Sequence, residues 1–312
     1  MDARIVRRVA FVRLLLQEAN TLFERANETM AGLPLLSAQD AVEMLLRAVA
    51  EANDVSLPGN VAFAQLISKI DDQFKQQNLS KVIPRRIAIN GLNAARNNFK
   101  HQGILPTLKD AKDFLFQARS FCEEVCLLYF DRSLESFSLA DLIANDEARN
   151  FIKNAEEKFG NTPPDHSLVF SNLSCAFAII FGTAGSCGRI RLGHGRSWQA
   201  HSILSAHGTR DAMSEISGQF GEVEKEFDHV FEVLNQLESK MRIFSLGISA
   251  VELDRFNSLV PMCKVLANDR LTGPTPTQNH KEASLAEDVR FAMDFCVQSI
   301  LLAEGRRHDH RI

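Results

Sequence analysis

Arg96, Asn97 and His101, inside the run Arg96-Asn97-Asn98-Phe99-Lys100-His101, are residue types that can handle a phosphodiester. A guanidinium binds two phosphate oxygens at once through its planar fork. An imidazole exchanges protons near neutral pH. RNA is cut when a base takes the 2′-OH proton, a cation neutralises the charge growing on the phosphate, and an acid protonates the leaving 5′-oxygen. On a helix, residues four apart lie one turn above each other, so Asn93, Asn97 and His101 form one polar column, with Arg96 and Lys100 in the column beside it. His101 falls in the last turn, where the helix dipole favours its charged form. One such face supplies a single histidine; a two-fold dimer joining two faces would supply two, together with two arginines.

A solvated helix face carries the same residue types, and bare spacing does not separate the readings. Arg-x4-His occurs three times: Arg96 to His101, Arg189 to His194 and Arg196 to His201. Only the first has Asn directly after the Arg, lies on an amphipathic helix and ends in a His-x-Gly helix stop. The other two lie in a Gly-, Arg- and His-rich stretch, residues 182–210. Its opening, Gly182 to Gly195, invites a phosphate-loop reading but lacks the Gly-Lys-Ser/Thr ending of a Walker loop. A surface loop is the default there, and a secondary RNA- or ligand-contacting site through Arg189, His194, Arg196 and His201 is the alternative. Cys122 and Cys126, one turn apart among Phe and Leu, read as core, and Glu123-Glu124 as a solvated face. No serine or cysteine nucleophile can be defended from spacing.

The elements that must position this face are helices. Apolar residues step by four and three from Ile5 to Met30, which predicts one long amphipathic helix. Gly32 and Pro34 break the chain, and Ser37 with Asp40 predicts the cap of a second helix. A short helix is expected over Phe63 to Phe74. Pro84 opens the next, whose inner face is Ala88, Leu92, Ala95 and Phe99 and which stops near Gly103 and Pro106. Thr107 and Asp110 cap a further helix through Leu128, and another is expected over Leu139 to Lys158. The result is a mostly α protein, with an N-terminal helical bundle over residues 1–160. The Gly160 to Asp165 turn marks a boundary, and residues 165–312 form a second, largely helical domain in which α+β character stays open.

In that second half the segment Ser167 to Gly188 is uncharged but diluted by Ser, Asn and Thr, so a buried helix is expected rather than a membrane span. Met213 to Phe244 steps 3,4,3,4 throughout, the spacing of a packed helix or a dimer coiled coil. Phe256 to Leu266 is the best strand candidate, and a last helix is expected over Leu285 to Ala303 ahead of a frayed tail.

Net charge is −4, which excludes a whole-molecule electrostatic glove for nucleic acid. Residues 81–113 nevertheless hold seven Lys or Arg against two Asp, leaving the remainder at about −9. This local basic stretch contains the Arg96 to His101 run, with Arg85, Arg86, Asn93 and Lys100 as substrate-binding candidates beside it. Six cysteines without a C-x-x-C pair indicate neither a zinc knuckle nor a redox dithiol, and reduced, buried thiols in a cytoplasmic protein are expected. Arg13 interrupts the N-terminal apolar run, so no targeting peptide is expected. Neither a metal nor a cofactor is expected.

The Arg96-Asn97-x3-His101 segment, set late in a helical bundle that begins with a long helix, resembles the signature of the HEPN superfamily (higher eukaryotes and prokaryotes nucleotide-binding domain). The resemblance covers roughly residues 1–160 and does not extend beyond them. It implies an all-α bundle, usually a homodimer, and a metal-independent endoribonuclease of toxin, phage-defence or RNA-processing type. By motif position, Arg96 would stabilise the phosphate, His101 would transfer protons and Asn97 would hold the neighbouring groups. The resemblance equally admits a non-catalytic binding or scaffold module for a protein partner or nucleotide. An antitoxin or a nucleotidyltransferase is the partner it suggests.

Overall fold

The computed structural model describes residues 1–58, 61–77, 81–181, 237, 240–241, 243–260, 264–265, 271–272 and 282–309. The chain is mostly α-helical and divides into two compact units, Met1–Leu142 and Ile143–Ile312.

In the first unit, α1 (Ala3–Glu24) starts at Asp2, whose carboxylate accepts the Arg4 N–H at 2.8 Å. It buries Ile5, Val9, Val12, Leu16 and Ala19, the front of the expected stripe. The stripe does not continue in one helix to Met30. Arg25 closes α1, and the Asn27 side chain caps a separate 3-10 turn, Glu28–Met30. Next, α2 (Leu33–Ala52) begins upstream of Ser37 and Asp40, so the pair expected as a cap lies inside the helix. Pro34 sits in the first turn, where the missing N–H is not needed, and starts the helix instead of breaking it.

Three more helices follow: α3 (Phe63–Gln76), α4 (Arg86–Gln102) and α5 (Leu108–Phe130). α2 is their common partner. It packs against α1, α3, α4 and α5 and buries residues on most of its circumference, among them Leu35, Val42, Leu45, Leu46 and Val49. Each such side chain removed from water contributes roughly 1.5–3 kcal/mol, so this one helix organises the core. α5 carries the expected capping box, in which Asp110 N–H donates to Thr107 Oγ1 at 3.1 Å and Thr107 N–H returns to the Asp110 carboxylate.

In the second unit the expected Leu139 to Lys158 helix is split. Leu139–Leu142 is a 3-10 turn belonging to the first unit, and α6 (Asp146–Gly160) starts only after Asn145 caps it. Glu304 of α9 (Glu282–Asp309) accepts the N–H groups of Ala144 and Asn145, each at 2.7 Å, which ties the start of α6 to the second unit. The Gly160 to Asp165 turn, read as a domain boundary, instead joins α6 to α7 (His166–Phe181), and the two helices pack on each other.

α7 holds most of the uncharged segment and is the buried helix expected of it, with Val169, Leu173, Ala176 and Ile180 inside. Among the described residues, no helix is long and apolar enough to cross a membrane. Phe177 of α7 stacks on Phe181 at 4.4 Å and lies 5.0 Å from Phe256 of α8 (Ala250–Leu259), which in turn lies 4.9 Å from Phe295 of α9.

Phe256 to Leu259, expected in a strand, is therefore helical. The Ser249 hydroxyl caps α8, and Leu253 and Phe256 bury at a helical spacing of three. Among the described residues of that stretch, β1 (Lys264–Val265) is extended, paired antiparallel with β2 (Leu271–Thr272). The C-terminal tail, read as frayed, continues α9 as helix to Asp309. Cys122, Cys126, Cys175 and Cys296 are buried, and burial pushes Cys126 up to about 12, which leaves it inert as a nucleophile.

One close approach fixes the motif helix. A Cβ at Gly32 would stand 2.4 Å from the ring of Phe99, so the α2 N-terminus tolerates only glycine against this side chain. Gly32→Ala is expected to destabilise the protein by about 1–3 kcal/mol in denaturant unfolding, as overpacked contacts do. Phe99→Leu, which shortens the opposing side chain, should recover part of that loss when the two are combined.

Candidate functional site

The site is built on α4, and both ends of that helix are pinned. At its start, Arg85 takes the left-handed conformation (φ 49°), with its side chain held by Glu124 (Nε to Oε1, 2.7 Å) and Gln117 (2.9 Å). The Arg86 guanidinium pairs with the carboxylate of Asp71 from α3, which is 3% exposed and also accepts the Ile83 N–H at 2.9 Å. Arg85 and Arg86, candidates for binding substrate, are thus already engaged in ion pairs within the unit. At its end, Gly103 turns left-handed (φ 69°), and the N–H groups of Gly103 and Ile104 satisfy the last carbonyls, those of Phe99 and Asn98. Only glycine takes that conformation without strain.

Between these ends the helix divides as its sequence demands. Ile89 and Leu92 are fully buried, Ala95 packs against the core, and Phe99 is the side chain on Gly32. The opposite face is wet. Arg96 is half-buried, its Nη1 donating to Asn97 Oδ1 at 3.0 Å and its Nε buried without a hydrogen-bond partner among the described residues. Asn93 and Asn97 are half-buried, while Asn90, Asn98, Lys100 and His101 are exposed. Lys100 and His101 sit in the last turn of α4. Among the described residues, no carboxylate forms an ion pair with Arg96, Lys100 or His101.

The structure sets Asn97 and His101 on the solvent-facing side of α4, with Asn93 and Lys100 beside them, while Arg96 lies half-buried at the edge of that side, above the buried Ile89. Polar centre and apolar flanks alternate along that face. Ile87 at the α4 start is 91% exposed, and Ile104 and Leu105 just beyond its end are 54% and 47% exposed. Four asparagines, Asn90, Asn93, Asn97 and Asn98, sit within this helix, although each costs up to about 0.7 kcal/mol relative to alanine. Together they make α4 weaker than its length requires by about 2–3 kcal/mol.

Two residues that matter here escape a sequence reading. Asp71 lies four residues after Ile67 and three before Phe74, on the apolar face of α3, and a charged residue at a core position is the signal that could have found it. Gly32 reads as a helix breaker, and nothing in the sequence links it to Phe99. The secondary candidates Arg189, His194, Arg196 and His201 lie outside the described residues. Of the Met213 to Phe244 stripe, Leu237, Met241 and Phe244 are described on their side-chain side, and they are 51%, 70% and 41% exposed. Among the described residues, no three His, Cys, Asp or Glu side chains converge to hold a metal ion.

No family model matches the chain, and no curated protein or solved structure matches it. The HEPN resemblance rests on the Arg96 to His101 segment and its helical setting.

The Arg86–Asp71 pair is asymmetric, because Asp71 is buried and the Arg86 side chain is 42% exposed. Arg86→Ala strands a buried carboxylate and is expected to cost about 3 kcal/mol or more in urea unfolding. Asp71→Asn keeps the acceptor for Ile83 and lets Arg86 hydrate, so it should cost about 1 kcal/mol. Equal losses from the two would show that the pair does not anchor α4 through its buried member.

Proposed function

We propose that the first unit is a metal-independent endoribonuclease of HEPN type, acting as a homodimer in which two α4 faces meet over the RNA. The observation that supports the reading is that Asn97 and His101 lie on the outward face of α4, that the half-buried Arg96 at its edge is joined to Asn97 at 3.0 Å, and that no carboxylate pairs with Arg96, Lys100 or His101 among the described residues. Arg96 and its copy bind the phosphate oxygens and balance the charge that grows on them. One His101 takes the 2′-OH proton as the 2′-oxygen attacks phosphorus, and the partner copy's imidazolium protonates the departing 5′-oxygen. The products are a 2′,3′-cyclic phosphate and a 5′-hydroxyl. The exposed Ile87, Ile104 and Leu105 supply apolar surface at the rim of such a contact.

A second reading, a non-catalytic module that holds a protein partner, draws on the exposure of Leu237, Met241 and Phe244 at the end of the apolar stripe. The two separate in one experiment. Wild-type protein incubated with mixed RNA in EDTA should yield fragments ending in 2′,3′-cyclic phosphate, and His101→Ala or Arg96→Ala should lower the cleavage rate at least about 100-fold without changing fold or oligomeric state. Cleavage that survives both substitutions sinks the nuclease reading, and absence of cleavage with a co-purifying partner favours the module.

A further inference from the structure

The outward face of α5 carries a projection, a recess and two ends of opposite charge. In projection Lys109, Lys112, Phe116, Ser120, Glu123 and Leu127 fall within about 80° of one another, along a line about 27 Å long. Phe116 and Leu127 on this face are 65% and 51% exposed. Beside Phe116 lies a shallow cleft of about 450 Å³, bordered by Arg119, Ser120, Glu123 and Glu135. Ser120, one turn after Phe116, is the smallest side chain of the six. The first turns of the face are basic and the last are acidic. Lys109 and Lys112 form no ion pair with any described residue, and Glu123 accepts the Leu134 N–H at 3.1 Å without pairing with a cation among them.

We propose that this face docks a second copy of the chain, with the two α5 helices antiparallel about a two-fold axis near Ala118. A lone exposed apolar side chain needs no partner. Here, however, bulge and recess lie one turn apart on the same helix, and base and acid lie at its two ends. Turned end for end, the face matches itself, as an isologous contact requires. The axis sets Phe116 opposite the second copy's Ser120, in its cleft, and Lys112 opposite the second copy's Glu123. Lys109 falls opposite the second copy's Leu127, which its methylene stem can cover while the ammonium stays in water. Asp113, at the edge, falls opposite the second copy's Glu124, whose charge Arg85 already balances. This surface is separate from the outward face of α4, so the inference does not rest on the cleavage reading.

The test follows self-association of the full chain by sedimentation equilibrium, up to about 100 μM protein. The wild type should form a dimer whose association weakens with added salt, because the Lys112 to Glu123 contacts lie at the solvent edge. Phe116→Asp and Lys112→Glu should each weaken association at least about tenfold. Both positions are exposed, so these variants should melt with the wild type, and lost association could not be lost fold. Ile87→Asp, on the outward face of α4, should leave the contact in place. A wild type that stays monomeric over this range, or an association unchanged by either α5 variant, would overturn the inference. Association lost in Ile87→Asp but kept in Phe116→Asp would also overturn it, and would place the contact on α4. The cyclic-phosphate assay on the wild type judges the cleavage reading separately, whichever of these results appears.

Discussion

The contact between Phe99 and Gly32 is the constraint on which the candidate site depends. Phe99 lies inside the motif run, flanked by Asn98 and Lys100, so the residue that anchors the helix and those that could do chemistry occupy the same turns. Its ring fills the space that any side chain at Gly32 would need. Turning the ring inward turns Asn97 and His101 outward, because on a 3.6-residue period residues two before and two after it fall on the opposite side. Core packing at α2 therefore sets the aim of the polar face.

The other end of α4 is fixed by a different force. Asp71 is buried on the apolar side of α3 and would be costly there without a partner; Arg86 supplies one and the Ile83 N–H a second. With an ion pair at the first turn and a ring on glycine near the last, α4 is held as a rigid element, and sites on such elements keep their geometry better than sites on loops. This also changes what the local positive charge means. Seven cations lie in residues 81–113, but Arg85 and Arg86 are consumed by Glu124 and Asp71. The cations left to an anion on this face are Arg96 and Lys100, joined by His101 when protonated.

Much of the first unit was legible in the sequence because its signals are local. The α5 capping box, the Pro84 entry and Gly103 exit of α4, and the apolar spacing of α1 and α3 all correspond to elements of the structure. The errors share one cause: a local signal was overruled by a distant partner or by position within a helix. Ser37 and Asp40 look like a cap, yet Pro34 starts the helix a turn earlier. Gly160 to Asp165 looks like a linker, yet Glu304, far along the chain, holds the start of α6 with the second unit. Phe256 to Leu259 has strand-like residues, yet the Ser249 cap and the aromatic cluster around Phe177 make it helix. In the site, the outward placement of Asn97 and His101 followed from helical spacing, whereas the half-burial of Arg96, the roles of Asp71 and Gly32 and the loss of two cations to ion pairs required the tertiary contacts.

A face with few free cations constrains the chemistry it can support. Phosphate contacts supply affinity that falls with salt in proportion to the charges neutralised, and two or three cations on one copy provide little of it. Bringing two copies together doubles the number, but it also sets Arg96, Lys100 and His101 against their own duplicates, where like charges repel. A polyanion lying between the faces removes that repulsion, so on the composite reading assembly and RNA binding reinforce each other thermodynamically. On that reading the exposed apolar residues Ile87, Ile104 and Leu105 would oppose the same repulsion by a route that salt does not screen. The neutral asparagines fit this balance on the same reading, since they would line a shared face with hydrogen-bonding groups and add no charge to it.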